Sequence, residues 1–139
     1  MKKIKTPLKD LYIFQGKKFS DSRGFLREVF HKKKIKKNLI FSIVSKSKKN
    51  TLRGLHLQKE KTQDKFITVL KGEILDVVVD VRKNSKTFGK HFKIILSKDN
   101  ATSLFIPRGF AHAYFSYESD NIIYYKLDNF YKPRFESGI

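Results

Sequence analysis

Lys65-Phe66-Ile67-Thr68-Val69-Leu70-Lys71-Gly72-Glu73-Ile74-Leu75-Asp76-Val77-Val78-Val79-Asp80-Val81 is the stretch that decides the fold class. Its β-branched residues suit a pleated, half-buried surface, and Lys71-Gly72 interrupts them with a turn signal. Two strands are therefore expected, Lys65 to Leu70 and Glu73 to Val81, joined as a hairpin. Downstream, Lys83-Asn84-Ser85-Lys86 breaks the pattern and Phe92 to Leu96 resumes it. Ser97 to Asn100 is the next turn, Leu104 to Ile106 a short strand, and Pro107-Arg108-Gly109 its stop. Ala111 to Tyr117 and Asn121 to Leu127 complete the series. Upstream, only Val29 to Leu39 has room for a helix, and it would be short and basic. Short strands with regular turn signals predict an all-β sandwich or barrel with short helical segments. No repeat or linker divides the chain, so residues 1–139 are expected to form one domain.

Composition narrows the function. With 139 residues the chain is long enough to bury a core unaided, and its 13 Phe and 40% apolar residues supply one. It has no Cys, which excludes thiolate catalysis, Cys-ligated zinc and a disulfide framework. Thirty-one basic against 13 acidic residues leave a formal charge of +18, which suits an anionic ligand or polymer. Yet 25 of the basic residues are Lys and only 6 are Arg, whereas base reading and bidentate phosphate contacts favour Arg. The sequence has no helix-turn-helix, zinc pattern or aromatic-glycine RNA motif, so no specific nucleic-acid partner is expected. Apolar runs such as Val77-Val78-Val79 are far too short to cross a bilayer, and Met1-Lys2-Lys3-Ile4-Lys5 lacks a signal-like apolar stretch. The cytoplasm is the expected location.

Three clusters hold residues able to do chemistry. In Leu52-Arg53-Gly54-Leu55-His56-Leu57-Gln58, a strand would put His56 and Gln58 on one face, with Arg53 close by and Gly54 allowing a turn or close approach. Read alone, this favours a satisfied barrel histidine beside a surface arginine over a functional cluster. Ile106-Pro107-Arg108-Gly109-Phe110-Ala111-His112 fixes a tight turn before a strand that begins near His112. Tyr124-Tyr125-Lys126, with Tyr131 beyond, would by itself be read as barrel filling.

These clusters occur in one order with Asp21-Ser22-Arg23-Gly24-Phe25, Asp76-Val77-Val78-Val79-Asp80-Val81-Arg82 and Tyr131-Lys132-Pro133. Together they resemble the dTDP-4-dehydrorhamnose 3,5-epimerase family, from about Phe19 to the last residue. That resemblance implies a cupin-type jelly-roll barrel and a cofactor-independent isomerase of carbohydrate biosynthesis acting on a nucleotide-linked 4-keto-6-deoxy sugar at C3, C5 or both. Epimerisation beside a ketone needs a base, a group to hold the enolate and an acid on the opposite face. By resemblance, His56 is the base, Lys65 the cation at the enolate oxygen and Tyr125 the acid. Arg53 and Arg23 would grip the nucleotide diphosphate, and Gln58, His112 and Tyr131 would line the pocket. The segment with Phe19, Arg23 and Glu28 would reach the partner subunit's site, implying a homodimer.

The chain departs from the family pattern in two places. The family orients its catalytic His with an Asp in a C-terminal extension, and this chain stops at Glu136-Ser137-Gly138-Ile139. Asp76 is then an internal candidate for the orienting carboxylate, against the alternative of a satisfied barrel carboxylate. Two polar sugar contacts of the family also fall on Phe41 and Ile43, which predicts an altered sugar preference. A metal is not expected, because His56 and His112 fall short of the three protein ligands typical of a catalytic zinc site. Two further readings stay open: a nucleotide-sugar 3,4-ketoisomerase, which typically carries a His at the place of Gln58, and a non-catalytic nucleotide-sugar-binding cupin.

Overall fold

The computed structural model describes residues 1–60 and 62–138. Strands dominate: β1 (Lys2–Lys5), β2 (Tyr12–Gln15), β3 (Lys18–Asp21), β4 (Gly24–Arg27), β5 (Phe41–Lys48), β6 (Leu52–Gln58) and β7 (Lys65–Lys71). They continue with β8 (Glu73–Asp80), β9 (His91–Ser97), β10 (Thr102–Ile106), β11 (Phe110–Ser116), β12 (Asp120–Leu127) and β13 (Glu136–Gly138). The described pairings are antiparallel. They build one sheet in the order β1-β2-β10-β7-β12-β5, a second in the order β13-β6-β11-β8-β9, and a separate β3–β4 hairpin. Each strand expected from β7 onward is present, and the all-β expectation holds.

The two large sheets share a core. Ile67, Val69, Leu104 and Ile123 from the first sheet meet Ile74, Val78, Phe110 and Tyr114 from the second. The first sheet is buried on its other face too, where Phe66 and Phe105 pack with Phe14, Ile35 and Leu39. Double coverage explains why every residue of β10 is buried, whereas β8 strictly alternates. Along β8 the buried set is Ile74, Asp76, Val78 and Asp80, so two carboxylates share the inner face with the core apolar residues.

The expected helix between Val29 and Leu39 shrinks to the four residues Lys32–Ile35. It has no side-chain cap and no acid in its first turn, three successive lysines crowd it, and Lys36 ends it in the left-handed region at φ 56°. Each feature weakens a helix that is already too short to be stable alone. Packing of Ile35 and Leu39 on the outer face of the first sheet holds it in place.

Candidate active site

One end of the sandwich opens into a cavity of about 310 Å³ whose lining includes Arg53, His56, Gln58, Lys65, His112, Tyr125 and Tyr131. Of the sequence-derived candidates, these seven come together. The two sheets contribute opposite walls. Lys65 on β7 shares the inward parity of Ile67 and Val69, and Tyr125 on β12 that of Ile123. His56 and Gln58 on β6 and His112 on β11 belong to the other sheet.

Arg53 and His56 are three residues apart, a spacing that in a regular strand would send them to opposite faces. The register explains why they line one wall: Arg53 pairs with Tyr114 and His56 with His112, so three steps on β6 match two on β11. This irregularity, a bulge, is centred on Gly54, whose φ is +109°. A Cβ there would lie 2.7 Å from the Ala113 Cα, so only glycine permits the close approach of β6 and β11.

The Arg53 guanidinium is fixed from behind, Nε donating to Ser47 Oγ at 2.9 Å and Nη2 to the Lys46 carbonyl at 3.2 Å. Ser47 and Ser45 also meet the Tyr114 hydroxyl, at 2.7 and 3.1 Å. Burial, then the neighbouring Tyr114, pushes the Tyr125 phenol well above its ordinary value, with the Ser45 hydrogen bond and the Arg53 charge opposing. Tyr125 therefore carries its proton at neutral pH. Burial pushes the Lys65 ammonium down, while the charges of Asp76 and Glu136 pull it back up. The His112 and Tyr125 rings meet edge-to-face across the cavity, 6.4 Å between centroids.

Asp76 is not the partner of His56. Fully buried, it accepts the His112 Nε2 hydrogen at Oδ2, 2.8 Å away. The carboxylate beside His56 is Glu136, whose Oε1 lies 3.2 Å from Nδ1 of the ring. Tyr131 donates its hydroxyl to the other oxygen of Glu136. Ile43 lines the cavity, as the expected apolar replacement, but Phe41 instead packs edge-to-face on Phe130 at 5.4 Å.

Phe19, Arg23 and Glu28 lie outside this cavity. Arg23 sits at the tip of the β3–β4 hairpin and pairs with Asp21 at 2.6 Å, Phe19 is 63% exposed, and Glu28 binds the amino terminus of Met1 at 2.8 Å. Sequence reasoning missed Ser45, Tyr114 and Glu136 as lining residues. Period-two alternation pointed to the first two, since Ser45 follows Ile43 and Tyr114 follows His112 on their strands. Among the described residues no three His, Asp or Glu side chains group as a metal site, and no helix is long and apolar enough to cross a membrane.

The profile of the dTDP-4-dehydrorhamnose 3,5-epimerase family matches residues 5–139. The chain is 42% identical to the dTDP-4-dehydrorhamnose 3,5-epimerase of Shigella flexneri, an alignment covering 100% of this chain and 81% of that one. It is 39% identical to the enzyme of the same name from Methanothermobacter thermautotrophicus, over 98% of this chain and 76% of the relative. Among solved structures, the dTDP-6-deoxy-D-glucose-3,5-epimerase of Legionella pneumophila in complex with dTDP-4-keto-L-rhamnose superposes with a TM-score of 0.94 at 37% identity. That match covers 99% of this chain and 77% of the other.

Proposed function

The chain belongs to the dTDP-4-dehydrorhamnose 3,5-epimerase family, and on that premise we propose that it epimerises a dTDP-linked 4-keto-6-deoxy sugar at the carbons flanking the ketone. The observation that carries this reading is the placement of His56 and Tyr125 on opposite sheets around one cavity, with Lys65 beside Tyr125 on the same wall. Inversion at a carbon requires the proton to leave one face and return on the other, so base and acid must stand on opposite sides of the sugar ring.

His56 takes the proton beside the ketone, and the C–H electron pair moves into the enolate. Lys65 balances the charge that develops on the ketone oxygen, and in a half-buried site that attraction is stronger than in water. Tyr125 then gives its proton to the same carbon from the other face, after which solvent takes the proton from the His56 imidazolium and returns one to the Tyr125 phenolate. The positive ammonium and the imidazolium formed by the first step both lower the cost of that donation. Arg53, already anchored by Ser47 and the Lys46 carbonyl, pairs with the diphosphate at the cavity mouth.

A homodimer is part of this reading. Phe19, Phe25 and Leu26 of the β3–β4 hairpin are 63, 50 and 73% exposed, an apolar surface that supports a second copy of the chain as its cover. Phe19, Arg23 and Glu28 would then act on the partner's sugar nucleotide rather than on their own cavity.

The test is proton exchange in heavy water with dTDP-4-keto-6-deoxyglucose, read by mass and by NMR at C3 and C5. Deuterium should enter beside the ketone, and His56→Asn should abolish its entry. Tyr125→Phe should keep exchange on the His56 face while losing inverted product. Absence of deuterium from every member of a panel of 4-keto nucleotide sugars would overturn the assignment.

A further inference from the structure

We propose that Tyr114 is a positioning residue of Tyr125: its buried hydroxyl, set between Ser47 and Ser45, carries the donor polarity of Arg53 along a chain of hydroxyls to the phenol that protonates the substrate. The inference rests on the reading of Tyr125 as the acid and adds the groups that stabilise the phenolate it leaves behind.

Strand register brings the parts together. Arg53 on β6 stands directly opposite Tyr114 on β11 in the second sheet. In the first sheet Tyr125 pairs with Ile43 and Ile123 with Ser45, which makes Ser45 the diagonal neighbour of Tyr125 on the inner face. Ser47 follows on β5 with the same parity. Tyr114 reaches across from the second sheet to both serines, its hydroxyl 2.7 Å from Ser47 Oγ and 3.1 Å from Ser45 Oγ. Tyr114 and Ser47 are buried, and Arg53, Ser45, Tyr114 and Tyr125 all line the cavity.

Arg53 fixes the direction of the hydrogens. A guanidinium only donates, so Nε gives its hydrogen to Ser47 Oγ at 2.9 Å. Ser47 then directs its own hydrogen to Tyr114, the other described partner of that oxygen. Tyr114 donates to Ser45, and Ser45 is left to donate to Tyr125, whose phenol it pulls down against burial. In this orientation each hydroxyl polarises the next, an effect that exclusion of water enlarges. Turnover converts the Tyr125 phenol to an anion, and a donor chain already aimed at its oxygen stabilises that anion without reorganising. The chain is not a route for proton return, because it ends on a guanidinium that keeps its protons; solvent recharges the phenol through the cavity. As a second phenolate Tyr114 would act the other way, by repulsion, so the two roles predict opposite effects of removing its hydroxyl.

The experiment follows deuterium entry beside the ketone and inverted product in parallel, in heavy water with dTDP-4-keto-6-deoxyglucose. It compares the intact enzyme with Tyr114→Phe, Ser45→Ala and the double variant. The ratio of inverted product to deuterium entry separates the Tyr125 step from abstraction by His56. Tyr114→Phe should lower that ratio and kcat about tenfold, with deuterium entry and KM near wild type, because His56 and Lys65 are untouched. Ser45→Ala should lower the ratio similarly, and the double variant should lose little more, since both hydroxyls act through one chain.

An unchanged or raised ratio in Tyr114→Phe would overturn the proposal, as would fully additive losses in the double variant. Exchange and inversion that fall together would do the same, because they mark a merely structural role. Should Tyr114→Phe fail to fold, Ser45→Ala decides by the same ratio. If Tyr125→Phe still forms inverted product, the acid assignment itself fails; if Tyr125→Phe loses it while Tyr114→Phe keeps the wild-type ratio, the acid stands and the positioning role alone is lost.

Discussion

Asp76 and His112 are diagonal neighbours on β8 and β11, with the aspartate Oδ2 2.8 Å from the imidazole Nε2 and both side chains buried. The other aspartate oxygen, Oδ1, has no hydrogen-bond partner among the described residues. A buried carboxylate with one oxygen unpaired is destabilising on its own account. Its negative charge also acts on Lys65, where it opposes the effect of burial on the ammonium. The pair therefore links the second sheet to Lys65 on the first, and its cost is set against the pull it exerts on that ammonium in opposition to burial.

Replacing that charge should separate stability from activity. Asp76→Asn keeps an acceptor for the His112 hydrogen and removes the buried charge. Its melting temperature should match or exceed that of the wild type, while kcat drops about tenfold, a loss of ~1.4 kcal/mol in the transition state. Calorimetry and steady-state kinetics on the same preparation check both halves. A variant that melts markedly lower would show that the carboxylate is a net stabiliser, against this account.

Lys65 should set the alkaline limb of activity. Burial lowers its ammonium below the ordinary value of 10.5, so the group loses its charge at a lower pH than a surface lysine. Activity that needs the cation should fall below pH 10.5, and Lys65→Met should reduce kcat about 100-fold or more, as loss of an oxyanion-stabilising group does. The sign for stability is opposite. Between the lowered folded value and 10.5 the unfolded chain binds more protons, so stability rises with pH through that window. Below it, the full cost of burying the charge is present, and Lys65→Met should melt higher than wild type at pH 7. Equal melting temperatures at pH 7 and pH 10 for both proteins would refute the burial effect.

The β7–β8 hairpin was legible because its signals are local: Gly72 takes the positive φ of +81° that a turn needs, and β8 alternates without interruption. β1 was not legible. Its four residues are all exposed and three are Lys, so only pairing with β2 makes it a strand. The site divides along the same line. His56, Lys65 and Tyr125 are singled out by the ordered motifs of the family resemblance, each of which lies near or within a single strand. The partner of each histidine depends on register between strands distant in sequence: Asp76 meets His112 across 36 residues, and Glu136 meets His56 through the β13–β6 pairing.

The second carboxylate of β8 does different work. Asp80 is as fully buried as Asp76, yet both its oxygens are engaged: Oδ1 accepts from Arg82 Nε at 2.9 Å, and Oδ2 from Arg82 Nη2 at 2.8 Å and from the Ser85 and Thr87 hydroxyls at 2.6 Å each. Burial alone would raise its pKa, but the bonds from Arg82, Ser85 and Thr87 outweigh it and hold the carboxyl far below the ordinary 3.8. With the folded value depressed, the stabilisation is fully present above the unfolded pKa and is lost as pH falls from about 4 toward the folded value. Asp80→Ala should therefore cost about 3 kcal/mol at pH 7, since it removes the acceptor of Arg82 Nε and of the Ser85 and Thr87 hydroxyls, leaving Arg82 to Asp10 and the Lys9 carbonyl. For a chain of this size that lowers Tm by roughly 10 °C. The Tm gap between wild type and variant should narrow below pH 4, because acid removes from the wild type what the substitution removed from the variant. Melts at pH 7, 5, 4 and 3 give the comparison, and a gap that stays constant down to pH 3 would assign the contribution of Asp80 to packing instead of charge.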